Sequence, residues 1–307
     1  ARSFKFVDRT FNLSLRTSEA ILRFFLPHAT KGLHLHFEMV PDRFPAALRA
    51  LIASFPTGSV QLEVGIQSFD PEVAARIDRP QDNQKVFDNL RFLVHETGVH
   101  VHADLIVGLP GEGLASFGQG FDALLATGVQ EIQVGILKRL RGAPIAAHSE
   151  RWAMLYSPLP PYEALRSAHM SELEMTHMRR FARCWDVFGN SGRFQRSLPL
   201  LLTGPSGFEA FAAFADWLQG HCGRTHSLAF QRCVAALFMY LETERQLDPA
   251  EVAKALAEDY RRVTGKPHVP EELQPYIATT TKSGASRSRH QQRRQRRHLD
   301  GALEPED

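Results

Sequence analysis

The chain has 307 residues, of which 43% are apolar and 23% charged, enough for one large domain or two ordinary ones around a substantial core. No apolar run approaches the length that spans a membrane, which argues against an integral membrane protein. The formal net charge of +2 is unevenly distributed: residues 282–298 hold one Lys and six Arg, so the remaining 29 basic residues face 34 acidic ones, and the rest of the chain is near −5.

Five strand-like segments recur along the first half of the chain, and helical patterns separate them. Helix starts are predicted at Asp70 and Asp82, whose side chains suit an N-cap, and helix ends at Gly98 and Gly128. Strands alternating with helices predict parallel strands joined by crossover helices, as in a βα barrel or a doubly wound sheet. The five segments are FKFVD (4–8), LHLHFEM (33–39), VQLEVGI (60–66), VHVHADLIV (99–107) and QEIQVGIL (130–137).

Four of these strands carry polar residues along one face. With a two-residue period, Glu63, Gly65 and Gln67 lie opposite the apolar residues of the third strand. The apolar face must pack against the helices, so the polar face is predicted to look inward, into a barrel that is wider and wetter than usual or holds a polar ligand. On the other strands this face carries His34, His36 and Glu38, then His100, His102 and Asp104, then Glu131, Gln133 and Gly135.

Two histidine pairs raise the alternative of a metal site. All four histidines lie in the first half of their strands, whereas barrel chemistry is located at the C-terminal ends. We interpret them as structural, predict no metal ligands, and keep a metal-dependent barrel hydrolase using His34 or His100 as an alternative. The groups at the C-terminal ends include Glu38, Gln67, Asp104 and the GLPGE turn (108–112).

From about Pro160, helical patterns follow one another over residues 162–187, 208–219, 227–245 and 249–264. We predict a partial barrel over residues 1–159, an all-helical region over 160–278 and a basic disordered tail over 279–307. A second alternative function is a non-catalytic binding module that docks RNA or protein through the arginines of residues 287–297. We rank nucleic-acid contact below a solvated terminus, because no aromatic residues interleave for base stacking.

The three cysteines lie far apart and fit no zinc or disulfide spacing. Cys184 and Cys233 sit within helical patterns and are predicted to be small buried hydrophobic residues, like most free cysteines. The absence of a disulfide pattern makes the reducing cytoplasm the expected compartment.

Several segments, taken in order, resemble radical S-adenosylmethionine (radical SAM) enzymes. FEMVPD (37–42), EVGIQSFDPEV (63–73) with RIDRP (76–80), and DLIVGLPGE (104–112) resemble the third, fourth and fifth strands, in the branch that includes oxygen-independent coproporphyrinogen oxidases. FKFVDRTFN (4–12) resembles the second strand of members with a cobalamin-binding domain, and the helical C-terminal region resembles an uncharacterised family of such proteins. The resemblance implies an α/β fold: a partial (β/α) barrel with the second to sixth strands, followed by helices.

By this resemblance, Glu38, Gln67, Arg79 and Asp104 bind S-adenosylmethionine. The chemistry agrees: Asp104 and Gln67 suit the ribose hydroxyls, and the guanidinium of Arg79 suits the methionyl carboxylate. The resemblance further implies that a 4Fe-4S cluster cleaves S-adenosylmethionine reductively and that the resulting radical modifies an unknown substrate, with cobalamin and a reductant protein as partners. No catalytic residue is assigned.

The sequence differs from the family at the ligands of the 4Fe-4S cluster. The family's Cys-xxx-Cys-xx-Cys loop follows the first strand, whereas this sequence begins at about the second strand and holds no such triad. We therefore expect the chain to be a fragment whose cluster ligands and cobalamin-binding domain lie upstream, and we expect it to be inactive alone, because a 4Fe-4S cluster needs thiolate ligands.

Overall fold

The computed structural model of the chain describes residues 2–8, 10–29, 32–225 and 227–277. It divides into two compact units, of which the first ends at Arg179 and the second begins at Arg180. The predicted tail, residues 279–307, lies outside the described residues. The boundary that the sequence suggests at residues 159 and 160 stays a prediction.

A five-stranded parallel sheet forms the centre of the first unit, with the strands in the order β1-β2-β3-β4-β5. The predicted α/β class is confirmed. A doubly wound sheet reverses its strand order at a switch point, whereas this order is sequential throughout, so it is consistent with a partial barrel. The strands are Ser3–Lys5, His34–Met39, Val60–Gln67, His100–Val107 and Glu131–Ile136.

Helices connect the strands of this sheet, and two of them begin where the sequence predicts. The carboxylate of Asp70 accepts hydrogen bonds from the backbone N–H groups of Glu72 (2.9 Å) and Val73 (3.2 Å). That of Asp82 accepts one from Lys85 (3.2 Å). Helix α2 has no side-chain cap, and the sequence pattern does not predict it. The helices are α1 (Leu15–Ala29), α2 (Ala46–Ala53), α3 (Pro71–Arg76), α4 (Asn83–His95) and α5 (Leu114–Leu125), with a 3₁₀ turn at Phe11–Leu13.

The sheet has the two unlike faces that the alternation of its residues predicts. Apolar helix residues such as Leu48, Leu90 and Phe121 are buried, so the helices cover the apolar face of the sheet. The polar face keeps partial exposure and is available for a site. The apolar face buries Leu35, Phe37, Leu62, Val64, Val101, Ala103 and Ile132; the polar face carries His36, Glu38, Glu63, His102 and Asp104.

After β5 the chain forms a short antiparallel pair in place of predicted helix. Strand β6 (Leu155–Tyr156) pairs with β7 (Ala164–Arg166), and the backbone N–H of Ala164 donates to the carbonyl of Leu137 at 2.8 Å. The prediction of helix over residues 162–171 is therefore wrong. This segment pairs with the chain that leaves β5, a long-range contact that outweighs the local helical pattern.

Helix α6 (Glu172–Phe188) begins instead at a capping box. The hydroxyl of Ser171 accepts a hydrogen bond from the N–H of Glu174 at 3.2 Å, and the Glu174 carboxylate accepts one from the N–H of Ser171 at 2.7 Å. This reciprocal pair is the usual meaning of a Ser-x-x-Glu sequence, and it sets the start of the helix.

The described part of the second unit is helical. The predicted helices over residues 208–219, 227–245 and 249–264 are confirmed, and side chains of Ser206 and Asp248 cap two of them. Within the residues that the structure describes, none of the helices has the length and hydropathy needed to cross a membrane. After α6 the elements are α7 (Leu198–Leu201), α8 (Gly207–Cys222), α9 (Phe230–Thr243), α10 (Pro249–Thr264) and a 3₁₀ turn at Glu271–Tyr276.

Aromatic side chains fill the core of the second unit. The ring of Phe211 meets the rings of Trp185 and Phe181 edge-on, with centroids 4.8 and 5.2 Å apart. Phe188 and Phe214 form another edge-on pair at 4.9 Å. Such rings bury large apolar areas and prefer this geometry, so the unit has a well-packed core of its own.

One carboxyl group is buried within this unit and is fully provided with donors. Asp259 has an exposure of 0%. Its oxygens accept hydrogen bonds from the backbone N–H of Arg196 (3.1 Å), from the N–H and Oγ of Ser197 (3.0 and 2.8 Å) and from Nη2 of Arg262 (3.1 Å). It thus ties α10 to the chain before α7, a structural role.

Candidate functional site

The C-terminal ends of β3 and β4 bring three of the four predicted ligand-binding residues together around Gly65. Gly65 pairs with Asp104 across the two strands. A Cβ atom at position 65 would lie 2.8 Å from Nε2 of Gln67 and 3.4 Å from Nη1 of Arg79. The absence of a side chain at Gly65 therefore provides the room in which the Gln67 amide and the Arg79 guanidinium lie. We call Gly65, Gln67, Arg79 and Asp104 the Gly65 site.

Gln67 holds a strained backbone conformation. Its φ angle is 71°, which few residues other than glycine adopt. The N–H of Ser68 donates to the carbonyl of Ile66 at 2.9 Å and closes a γ-turn centred on Gln67. The β3–β4 register also shifts here by a β-bulge between Gly65 and Gln67. At this bulge and turn, the side chain of Gln67 folds back over Gly65.

Asp104 supplies a buried acceptor that no hydrogen bond of the described residues uses. Its side chain is 17% exposed, and Oδ1 lies 3.4 Å from Nε2 of His102 without the geometry of a hydrogen bond. Burial, assisted by the charges of Glu63 and Glu38 and opposed by that of Lys5, raises the pKa of Asp104 to about 7. A donor from a ligand would stabilise the charged carboxylate and reverse this shift.

The fourth predicted residue, Glu38, lies beyond β3 on strand β2. It is in register with Glu63, whose Oε2 lies 2.9 Å from Nε2 of His36 and 3.6 Å from Nζ of Lys5. Glu38 and Glu63 add two carboxyl groups to the polar face beside Asp104, and Lys5 balances part of the charge of Glu63. The resulting potential favours a ligand that carries positive charge.

The interior histidines pair with carboxylates. His100 Nε2 and Glu131 Oε1 are 2.9 Å apart, and both side chains are almost fully buried. Burial lowers the pKa of His36, the charge of Lys5 lowers it further, and its contact with Glu63 opposes both effects. These pairs support the structural interpretation of the two histidines. Within the described ranges, no three His, Cys, Asp or Glu side chains are grouped as metal ligands.

The turn between β4 and α5, which the sequence places at the C-terminal end of the sheet, contains a buried acid to which the sequence assigns no individual role. Glu112 has an exposure of 2%, and its Oε1 accepts a hydrogen bond from Oγ of Ser68 at 2.5 Å. Its Oε2 is buried without a hydrogen-bond partner among the described residues. Burial raises the pKa of Glu112 to about 7, and the charge of Asp70 adds to this effect, while the bond from Ser68 opposes it. A glutamate in a Gly-rich turn normally faces water, so the sequence contains no signal for this burial.

Arg76 and Trp152 contact the same turn. Nη1 of Arg76 donates to the carbonyl of Pro110 at 2.7 Å, and the guanidinium lies 4.2 Å from the centroid of the Trp152 ring. This cation–π contact joins residues that are distant in sequence. It places Trp152, from the chain after β5, beside the turn that follows Asp104 on β4.

The cysteines do not fit an iron–sulfur cluster. Cys184 and Cys233 are fully buried in the second unit, as predicted for small hydrophobic residues. Burial raises the pKa of the Cys233 thiol to about 11 and that of Cys184 well above its usual value. Cluster iron is held by thiolates, and these two positions disfavour the thiolate.

The family described as "Protein of unknown function (DUF4080)" matches residues 150–305 of the chain. Among curated proteins, Protein YhcC of Escherichia coli strain K12 is 32% identical over 108 residues, which are 34% of this chain and 35% of that protein. The Uncharacterized protein YhcC of Escherichia coli O157:H7 matches with the same figures. The chain thus spans about a third of the length of the curated relatives it matches.

Solved structures with a partial likeness include the radical S-adenosylmethionine methyltransferase TsrM from Kitasatospora setae with cobalamin and a [4Fe-4S] cluster bound. It is 17% identical, with a TM-score of 0.44 over 57% of this chain and 36% of that chain. Coproporphyrinogen III oxidase (HemN) from Escherichia coli, a radical SAM enzyme, is 21% identical, with a TM-score of 0.32 over 38% of this chain and 28% of that chain. At these TM-scores neither likeness carries an argument about fold or activity.

Proposed function

The chain belongs to the family described as "Protein of unknown function (DUF4080)", a description that names no activity, and we propose from the Gly65 site that its first unit is the core of a radical SAM enzyme. In this proposal the Gly65 site binds S-adenosylmethionine. The motif resemblance and the geometry at the ends of β3 and β4 support it. Since the chain spans about a third of its curated relatives, the substrate, partners and activity of the whole protein are part of the proposal.

The observation that carries the proposal is the convergence around Gly65. Oε1 of Gln67 and Oδ1 of Asp104 are buried acceptors without hydrogen-bond donors among the described residues. Buried polar atoms are normally paired, so two open acceptors on neighbouring strands indicate that donors arrive with a ligand. A ribose carries two adjacent hydroxyl donors and matches this need.

The other contacts fit the charged end of the same ligand. The Arg79 guanidinium lies beside Gly65, and its planar fork suits the methionyl carboxylate. S-adenosylmethionine also carries a sulfonium and an ammonium group, which the negative charges of Glu38 and Glu63 would attract. Glu38 is proposed as the acceptor for the ammonium group, because it lies on the same polar face.

In this proposal the chain's own residues bind and orient the ligand. A 4Fe-4S cluster would supply the electron for reductive cleavage, but the cysteines described above do not fit it. The proposal therefore assigns the cluster ligands, cobalamin binding and the docking of a reductant protein to parts of a longer protein. Localisation in the cytoplasm remains a prediction.

A pair of glycine substitutions tests the proposal. In Gly65→Ala the new Cβ would lie 2.8 Å from the Gln67 amide, which must move away, whereas the fold is retained because only a flexible side-chain end is displaced. The control is Gly135→Ala, on the same face of β5, where the nearest atom is 3.6 Å away. Calorimetric titration of the purified chain with S-adenosylmethionine should show binding that Gly65→Ala weakens and Gly135→Ala preserves. No binding to the wild-type chain, or equal binding by both variants, would contradict the proposal.

A further inference from the structure

The strained turn at Gln67 requires something to hold it. A non-glycine residue with φ of 71° at the centre of a γ-turn persists only when neighbouring contacts stabilise it. In the Gly65 site this turn determines where the Gln67 amide points. The contacts made by the next residue, Ser68, therefore bear directly on the site.

Ser68 has an exposure of 2% and makes hydrogen bonds with three other residues. Its Oγ donates to Oε1 of Glu112 at 2.5 Å and accepts from the N–H of Asp70 at 3.0 Å. Its carbonyl accepts from Nε2 of Gln81 at 3.0 Å. Two of these three partners lie within the β3–α4 segment, whereas Glu112 comes from the turn after β4. Glu112 thus provides the contact that links the Gln67 turn to the neighbouring strand.

The side chain of Glu112 makes no other hydrogen bond among the described residues. Its Oε1 is used by Ser68, and its Oε2 is buried without a partner among the described residues. Burying a carboxyl group with one open oxygen costs stability, so its presence calls for an explanation. The short hydrogen bond from Ser68 is the interaction that the buried Glu112 side chain makes.

We propose that Glu112 is a positioning residue for the Gly65 site: through Ser68 it holds Gln67 in its γ-turn and so aims the Gln67 amide at the bound ligand. This inference rests on the proposed function, because it concerns how Gln67 meets S-adenosylmethionine. Glu112 acts only through Ser68 and does not touch the ligand. The contact also couples the ends of β3 and β4, which carry Gln67 and Asp104.

A set of variants tests the route from Glu112 to Gln67 by titration with S-adenosylmethionine. Glu112→Ala and Ser68→Ala should each raise the dissociation constant about tenfold, the usual result of losing one good hydrogen bond. Glu112→Gln should restore binding, because its amide oxygen can accept from Ser68. Ser116→Ala removes a nearby hydroxyl that contacts Asp70 at 3.3 Å rather than Glu112, and it should leave the constant unchanged.

A double-mutant cycle separates positioning from general destabilisation. In a Gln67→Ala background, Glu112→Ala should cause no further loss of binding, because the residue through which it acts is gone. Additive losses in the two variants would overturn the inference.

Hydrogen exchange of the ligand-free chain distinguishes a failure of this inference from a failure of the proposed function. The amides of Ser68 and Asp70 should exchange at least about tenfold faster in Glu112→Ala and at the wild-type rate in Glu112→Gln. Unchanged exchange in Glu112→Ala would refute the positioning role whatever the ligand. Accelerated exchange in Glu112→Ala, together with no binding of S-adenosylmethionine by the wild-type chain, would instead refute the proposed function and, with it, the ligand-directed role of the contact.

Discussion

Asp104 in the first unit is a largely buried carboxyl group and Asp259 in the second a fully buried one, and burial raises the pKa of each. They differ in their partners. Asp259 accepts hydrogen bonds from two backbone N–H groups, a hydroxyl and a guanidinium, whereas Oδ1 of Asp104 accepts none from the part of the chain that the structure describes. The comparison teaches that burial alone does not identify a site. A buried acid with all its donors belongs to the fold, whereas an open carboxylate oxygen on the polar face of the sheet, as at Asp104, is where a ligand's donors are expected.

The surroundings of the two acids also differ. The second unit packs aromatic rings such as Phe211 and Phe214 into a buried core. The first unit leaves the polar face of its sheet partly exposed and holds Gln67 in a strained turn. Strain and open polar groups cost stability, and they persist where binding gives them a use.

The largest effect is expected at Asp259. In Asp259→Asn the amide would direct N–H donors at groups that already donate, and the free energy of unfolding should fall by about 3–5 kcal/mol, as when a buried charged pair is broken. Urea denaturation followed by circular dichroism measures the change. Asp216→Asn is the control, because this acid is 42% exposed and its ion pair with Arg180 should contribute about 1 kcal/mol or less. Similar small losses of unfolding free energy in Asp259→Asn and Asp216→Asn would contradict a structural role for Asp259.

Asp104→Asn should change the free energy of unfolding in the opposite direction and stabilise the chain. A folded-state pKa raised from 3.8 to about 7 means that the contribution of protonated Asp104 is complete below about pH 4 and is lost as the pH rises through 7. At pH 8 the wild-type chain therefore bears the full cost of the buried charge. We expect Asp104→Asn to raise the free energy of unfolding by about 2–4 kcal/mol at pH 8 and to change it little at pH 4. Denaturation of both proteins across this range checks the sign, and a less stable variant at pH 8 would contradict it.

The affinity for S-adenosylmethionine should show whether the destabilising Asp104 carboxylate serves ligand binding. Asp104→Ala should weaken the binding of S-adenosylmethionine by roughly 1.5–3 kcal/mol, the usual contribution of a hydrogen bond to a charged group. His34→Ala, on the same face but at the start of β2, should hardly alter it. Calorimetric titration compares the two variants. Equal losses would mean that the whole polar face is structural, and the comparison with Asp259 would lose its functional meaning.

The smallest effects are expected at the helix caps, where the two units should behave alike. Asp82→Ala in the first unit and Asp248→Ala in the second each remove a side chain that accepts from a backbone N–H at the start of a helix. Each should lower the free energy of unfolding by a small and similar amount. Chemical denaturation of the two variants shows whether local interactions are equivalent. A much larger loss in one unit would locate the difference in helix starts and not in buried acids.

The sequence by itself determined the features that depend on neighbouring residues. The five strands, the alternation of apolar and polar faces and the caps at Asp70 and Asp82 follow from periodicity and local hydrogen bonding, and the structure has them. The same period placed Gln67 and Asp104 on one face. These features are readable because each is decided within a few positions along the chain.

Only the tertiary structure decided the features that depend on contacts between distant segments. The bulge and γ-turn at Gln67, the arrival of Arg79 beside Gly65 and the burial of Glu112 against Ser68 all arise where β3, β4 and their following turns meet. The pairing of β7 with β6 overrode a helical pattern for the same reason. A local pattern states what a segment prefers, whereas the energy of these contacts exists only once the strands are paired and the turns are packed together.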